Sequence, residues 1–259
     1  MRRSLLTTQA ALACAVLAAC SDITPTAPSR ASDDPARSTG TTTITWSGRT
    51  WNVKSGEGLG PGPNNWSAAN VWVDASGYLH LRISRDAATG KWQSAEISSA
   101  QNLGFGTYQF WVDGRIDQLD PNVILGLFGY AGPDGTNEID IEFGRFGNPS
   151  RANSTFSVYP GVAGYPETSH LFPLALEGSF TTQRYRWLSG SVHFQTLGGH
   201  RSDNLNQIQS WTFAPSDPLQ RVPQQAMPAR INLWLFGGQA PTNGQQVEIV
   251  IRKFTFTPA

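Results

Sequence analysis

Apolar residues recur at every second position through most of this chain. Tyr78-Leu79-His80-Leu81-Arg82-Ile83 and Tyr108-Gln109-Phe110-Trp111-Val112 carry the pattern, and Val247-Glu248-Ile249-Val250-Ile251 carries it less strictly. A period of two puts alternate side chains on opposite faces of a strand, with one face buried. Turn signals at Ala75-Ser76-Gly77, Pro133-Asp134-Gly135, Gly198-Gly199 and Asn243-Gly244 separate the runs. No segment beyond the first twenty residues presents a helical face. Lys54, Lys91 and Lys253 are the only lysines, so helices laced with Glu–Lys pairs have little to be built from. There is no internal repeat. About twelve short strands after residue 43 predict an all-β domain, a two-sheet β-sandwich. Near the C-terminus the apolar parity slips between Ile251 and Phe254, which predicts a bulge at Arg252-Lys253. Gly104-Phe105-Gly106 reads as a glycine-rich strand with a bend or a close approach.

The N-terminus reads as an address. Arg2 and Arg3 precede an apolar run from Leu5 to Ala19 that is too short to span a bilayer comfortably. It ends Leu17-Ala18-Ala19-Cys20, which resembles a bacterial lipobox, where the cysteine is lipidated and becomes the new N-terminus. An ordinary secretory signal is the alternative, and either exports the protein. The predicted organisation is a lipoprotein signal peptide over 1–19, a Ser/Thr/Pro-rich tether over 20–43, and the sandwich domain over 44–259. The destination is the cell envelope, through a lipid on Cys20, or the exterior. Cys14 falls in the discarded segment, so the domain is expected to fold without a disulfide.

Composition excludes several activities. The 19 basic and 19 acidic residues cancel, which leaves no electrostatic case for nucleic acid. His80, His170, His193 and His200 are scattered without metal-ligand spacing. No glycine-rich phosphate loop opens a helix, and no nucleophile elbow singles out a serine.

One run stands apart: Asn137-Glu138-Ile139-Asp140-Ile141-Glu142-Phe143. On a strand, Glu138, Asp140 and Glu142 share one face, and Ile139, Ile141 and Phe143 share the other. Glutamate is depleted in strands, yet two of this chain's seven fall within five residues here. Arg145 is the nearest neutralising charge in sequence. Carboxylates crowded in this way raise at least one pKa, the condition that lets one be ionised while another holds a proton near neutral pH. A solvated edge strand is the alternative use of such a pattern.

Glu-Ile-Asp-Ile-Glu-Phe resembles the catalytic strand of glycoside hydrolase family 16, which includes lichenases, laminarinases and xyloglucan endotransglycosylases. Other stretches are similar to that family in the same order: Asn70-Val71-Trp72-Val73, Gly77-Tyr78-Leu79-His80-Leu81, Ser94-Ala95-Glu96-Ile97-Ser98-Ser99, Gly104-Phe105-Gly106-Thr107-Tyr108, Arg184-Tyr185-Arg186-Trp187 and Arg230-Ile231-Asn232-Leu233-Trp234. The resemblance implies a concanavalin-like jelly roll with a concave carbohydrate cleft. It implies an endo-acting, retaining hydrolase of β-glucan-type polysaccharide, acting as a monomer with no required cofactor. Glu138 would be the nucleophile, Glu142 the general acid/base, and Asp140 would tune the pair. Glu96 would touch sugar hydroxyls, while Trp234 and Trp111 would offer aromatic surface. Phe128 stands where the family often has a tryptophan under the sugar, and Ser98 stands where it has an arginine. A single residue separates Asp140 from Glu142, the spacing of the lichenase and xyloglucan branch. Many relatives also hold a structural calcium, whose ligands this sequence does not place. A non-catalytic, lectin-like sandwich and a transglycosylase using the same residues are the alternatives. Glu138 and Glu142 lie about 13 Å apart at Cα on a straight strand, and a retaining enzyme needs its carboxyl groups about 5–5.5 Å apart. The strand must therefore bend, or the side chains must lean together.

Overall fold

A computed structural model describes residues 42–259. The signal peptide, Cys20 and nearly all of the tether lie outside the described residues. Eighteen strands, numbered in chain order, build two large antiparallel sheets and one small ribbon.

The first sheet runs β1 (Thr42–Trp46), β2 (Arg49–Val53), β8 (Ala95–Leu103), β17 (Met227–Leu235), β10 (Val123–Tyr130), β11 (Glu138–Phe143), β12 (Ser154–Val158) and β13 (Thr168–Phe172). The second runs β16 (Gln207–Phe213), β15 (Ser191–Gly198), β14 (Phe180–Leu188), β9 (Gly106–Asp113), β18 (Val247–Pro258), β6 (Leu79–Arg85) and β5 (Val71–Val73), with β7 (Trp92–Gln93) pairing β6 to the side. The ribbon pairs β3 (Gly56–Leu59) with β4 (Asn64–Trp66). The only α-helix among the described residues is the single turn Pro218–Arg221.

The core lies between the two sheets. Alternate residues of the first sheet, among them Ile97, Leu125, Leu127, Ile139, Ile141, Phe156, Ile231 and Leu233, face Leu79, Leu81, Phe110, Tyr185, Trp187, Phe194, Ile251 and Phe254 of the second in one apolar cluster. A truncation such as Leu127→Ala in such a core costs about 2–5 kcal/mol. The expected bulge is present as a register shift between Ile251 and Lys253. The expected twelve strands become eighteen, because short pieces of two to four residues, β3, β4, β5 and β7, pair as well and carry too few residues to show an alternation. Gly104-Phe105-Gly106 is not strand interior: it links β8 to β9. Its close approach is real, however, because a Cβ on Gly106 would stand 2.4 Å from the Thr257 carbonyl oxygen.

Strand β10 is buried along its whole length, since both of its faces are covered. Val123, Leu125 and Leu127 point into the core. Ile124 joins a second, smaller cluster with Trp66 and Trp234, on the far face of the first sheet. That far face carries the acids.

Candidate active site

The acid strand forms as the alternation predicts. Ile139, Ile141 and Phe143 are fully buried in the core, and Glu138, Asp140 and Glu142 project from the opposite face. Asn137, just before the strand, has φ +50, a left-handed conformation that asparagine tolerates, and its N–H bonds the Pro160 carbonyl at 2.8 Å. The three acids do not stand on a solvated edge. Glu138 and Asp140 are 1% exposed and Glu142 8%.

Register across β10, β11 and β12 puts each acid on its own rung. Tyr130 and Glu138 are directly opposed, Phe128 lies opposite Asp140, and Gly126 lies opposite Glu142. On the other side Ser157 faces Asp140 and Thr155 faces Glu142. Tyr159 extends that strand by one residue, its N–H bonding the Glu138 carbonyl at 2.9 Å. Continuing the period-two alternation of Thr155 and Ser157, Tyr159 flanks Glu138 from the side opposite Tyr130. Burial pushes the Tyr159 phenol well above its ordinary pKa, and the charges of Asp140, Glu138, Glu167 and Glu142 push it further. Tyr159 therefore stays a protonated donor beside the carboxylate row. The flat row is completed by Gly126, where a Cβ would lie 2.4 Å from Asn232 Oδ1. Only a glycine lets Asn232 lean in beside Glu142.

Beyond β10, β17 presents Arg230, Asn232 and Trp234 to the same face, opposite Phe128, Gly126 and Ile124. Glu96 lies on β8 opposite Asn232, and Ser98 lies opposite Arg230. Glu96 is 2% exposed. Arg230 Nη1 donates to its Oε1 at 3.0 Å, Asn232 Nδ2 to its Oε2 at 3.3 Å, and Lys54 Nζ stands 3.6 Å away. Lys54 also donates to the Gly60 carbonyl and lies 4.6 Å from the Trp66 ring centroid. The Arg230 guanidinium carbon sits 5.2 Å from the centroid of Tyr130. A guanidinium thus stands on this floor beside Ser98, supplied by the neighbouring strand.

The structure brings Glu138, Asp140, Glu142, Phe128, Glu96 and Trp234 onto one face. Trp234, however, is 1% exposed and offers no open ring: it packs with Trp66 and Ile124, under Phe146 and Phe236. Its indole N–H and Asn232 Oδ1 are buried without a hydrogen-bond partner among the described residues. Trp111 lies elsewhere. It belongs to β9 in the second sheet, where Phe110 and Val112 fill the core and Trp111 faces outward beneath the Lys253 ammonium, 5.3 Å from the ring centroid. Parity decides this, since Trp111 alternates with two core residues. Asn153, just before β12, braces the loops behind this face: its Nδ2 donates to the carbonyls of Asp117 and Leu174 and its Oδ1 accepts from the Leu174 N–H. Among the described residues no three His, Cys, Asp or Glu side chains converge so as to hold a metal ion.

Tyr159, Tyr130, Arg230 and Lys54 are not singled out by sequence reasoning. A usable signal was present for two of them. Arg230 shares parity with Asn232 and Trp234, and Tyr159 shares it with Thr155 and Ser157 on the strand that follows the acids.

Solved structures with this arrangement of sheets include a Bacillus licheniformis beta-glucanase, at TM-score 0.61 and 20% identity, covering 86% of this chain and 100% of that one. A beta-1,3-glucanase from Mycobacterium marinum is similar at TM-score 0.62 and 20% identity, over 80% of this chain and 90% of its own. Rv0315 of Mycobacterium tuberculosis, described as an immunostimulatory antigen and pseudo beta-1,3-glucanase, is similar at TM-score 0.62 and 18% identity, over 81% and 91%. No protein-family model and no curated protein sequence matches the chain. These likenesses define the class of fold, a two-sheet jelly roll of the β-glucanase kind.

Proposed function

We propose that this chain is an endo-acting, retaining glycoside hydrolase of β-glucan-type polysaccharide. The observation that carries the reading is the buried row Glu138, Asp140 and Glu142, set on the far face of a β-glucanase-like sandwich, with Tyr130, Phe128 and Gly126 of β10 on one side and Tyr159, Ser157 and Thr155 on the other. Burying three like charges side by side is costly for a structural element. Protein chemistry uses such an arrangement to split pKa values between an ionised and a protonated carboxyl group.

In the proposed double displacement, a Glu138 oxygen attacks the anomeric carbon. The bond from that carbon to the leaving oxygen breaks as Glu142 delivers its proton to that oxygen. Glu142, now ionised, takes a proton from water, the water oxygen attacks the anomeric carbon, and Glu138 departs. Asp140 lies between the two and tunes both charges. Tyr159 contributes a donor at the Glu138 end. Asn232 Oδ1, next to Gly126, supports the reading as an acceptor for a substrate hydroxyl, and Glu96 as a group held ready by Arg230. Transfer to a sugar acceptor would use the same residues. The reading also keeps a lipid on Cys20 as the anchor that holds the enzyme at the cell envelope.

A non-catalytic sugar-binding sandwich is the second reading, favoured by one observation: Trp234 is covered and offers no stacking platform. Reducing-end release across a panel of polysaccharides separates the two. The enzyme reading expects release from at least one β-glucan by the wild-type chain and its loss in Glu138→Gln. Sugar binding with no release from any polymer would establish the second reading.

A further inference from the structure

The wall beside Glu142 contains a cation that the proposed reaction does not use. Strands β11 and β12 are joined by residues 144–153, which reach over the far face of the first sheet. The segment is pinned at several points. The Gly147 N–H bonds the Pro121 carbonyl at 2.8 Å, the Arg151 N–H bonds the Asn148 carbonyl at 3.0 Å, and Arg145 Nη1 bonds the Arg151 carbonyl at 2.6 Å. Phe146 is seated edge-on against Trp234 and Phe236, at centroid distances of 6.3 and 6.0 Å. The Arg151 guanidinium carbon lies 4.1 Å from the centroid of that ring.

Three features distinguish Arg151 from the other cations of this face. Its side-chain hydrogen bonding comes down, among the described residues, to one long bond from Nη2 to Thr155 Oγ1 at 3.4 Å. Arg230 and Lys54, by contrast, both stand within ion-pair distance of Glu96. Thr155 is the rung partner of Glu142, so the Arg151 guanidinium reaches the acid row at the strand position beside Glu142, on its β12 side. It is half-buried, and burial lowers its basicity while the charges of Glu142 and Glu167 restore part of it. A guanidinium resting on an aromatic face keeps its in-plane N–H groups directed outward, the geometry that takes a carboxylate or sulfate.

We propose that Arg151, resting on Phe146, binds an anionic substituent, a uronate carboxylate or a sulfate ester, on the sugar that occupies the β12–β13 side of Glu142. The inference deepens the glycosidase reading and rests on it: the substrate is an acidic polysaccharide. Glu142 and Glu167 are the charges facing this corner, with Glu138 and Asp140 further along the row. They do not argue against an anion there, because the acid step requires Glu142 to be protonated and hence neutral. Glu167 keeps its charge, but it accepts from the Ser169 hydroxyl and lies beyond the β12 strand rather than on the acid row. An anion on Arg151 disfavours the ionised form of Glu142, so binding of such a substrate and protonation of the acid reinforce each other.

The test uses the full chain carrying Glu138→Gln, so that binding is measured without turnover. The probes are a β-1,3-glucan, the same glucan oxidised to the uronate at C6, and the same glucan sulfated. One of the two acidic polymers should bind about tenfold or more tightly than the neutral one, the worth of a charge-assisted hydrogen bond. Which polymer it is identifies the anion. Adding Arg151→Gln should bring that ratio to about one, Arg151→Lys should keep part of it, and high salt should reduce it. Arg151→Met, which keeps the apolar contact with Phe146, carries the comparison if Arg151→Gln does not fold. Equal affinities, or a preference unaffected by these variants, overturns the proposal. If wild type hydrolyses neutral glucan while the affinities are equal, only the anion site falls. If no polymer binds and none is cleaved, the glycosidase reading falls with it.

Discussion

Arg230 Nη1 lies 3.0 Å from Glu96 Oε1, on the strand directly beside Ser98. Glu96 is a nearly fully buried carboxylate, and Arg230 is the closest of its three partners. Removing one partner of a buried pair leaves a charge uncompensated. Arg230→Met should lower unfolding free energy by about 1–3 kcal/mol, less than the full loss of a buried pair because Lys54 and Asn232 remain. Arg230→Met combined with Glu96→Gln should cost less than the sum of the two changes, as read from urea unfolding midpoints in a double-mutant cycle.

Gly126 makes room for Asn232 beside Glu142. Gly126→Ala would set a methyl 2.4 Å from Asn232 Oδ1, and the amide must turn away. The expected cost is about 1–3 kcal/mol of stability, the range for overpacking. Activity on any substrate the wild type cleaves should fall as well. Adding Asn232→Ala should recover only part of the stability, because the clash goes together with the Nδ2 bond to buried Glu96, and none of the activity, because the acceptor is lost. Thermal unfolding and turnover, measured on the same preparations, check both halves.

Three phenols hold their protons against alkali. Burial raises the pKa of Tyr108, Tyr159 and Tyr185, and Asp140 adds to the rise at both Tyr159 and Tyr185. In the unfolded chain each titrates near pH 10, as free tyrosine does, whereas in the folded chain each keeps its proton to a higher pH. Stability from this source is thus fully present below about pH 10 and declines as pH rises above it, approaching about 1.4 kcal/mol per pH unit for each group. Phenolate absorbance from these three should emerge only with the unfolding transition. Tyr159→Phe should flatten the decline between pH 10 and the pH of unfolding, roughly by one third.

Much of the fold was legible because a strand's period shows directly in sequence. The acid strand, the bulge after Ile251 and the turn glycines follow from alternation and its interruptions. Which strand neighbours which does not follow from it, since β8, β17 and β10 are adjacent in the sheet but far apart in the chain. That is why the Arg230–Glu96 pair and the rung of Tyr130, Glu138 and Tyr159 emerge only in three dimensions. Parity could have excluded Trp111 from the acid face, because Phe110 and Val112 claim the core side of β9. The covering of Trp234 depends on Phe146 and Phe236, which reach it from residues that carry no alternation.

The central claim is the division of labour between Glu138 and Glu142, and azide rescue tests it most directly. With an activated aryl β-glycoside of a substrate oligosaccharide, Glu138→Ala should be nearly inactive. Added azide should restore turnover and give the α-glycosyl azide, by direct displacement into the space the nucleophile has left. Glu142→Ala should still form the glycosyl-enzyme from the activated substrate and, with azide, give the β-glycosyl azide. Two variants yielding products of opposite anomeric configuration by NMR is the predicted result. The same configuration from both variants, or unimpaired turnover by Glu138→Ala without azide, would contradict the assignment.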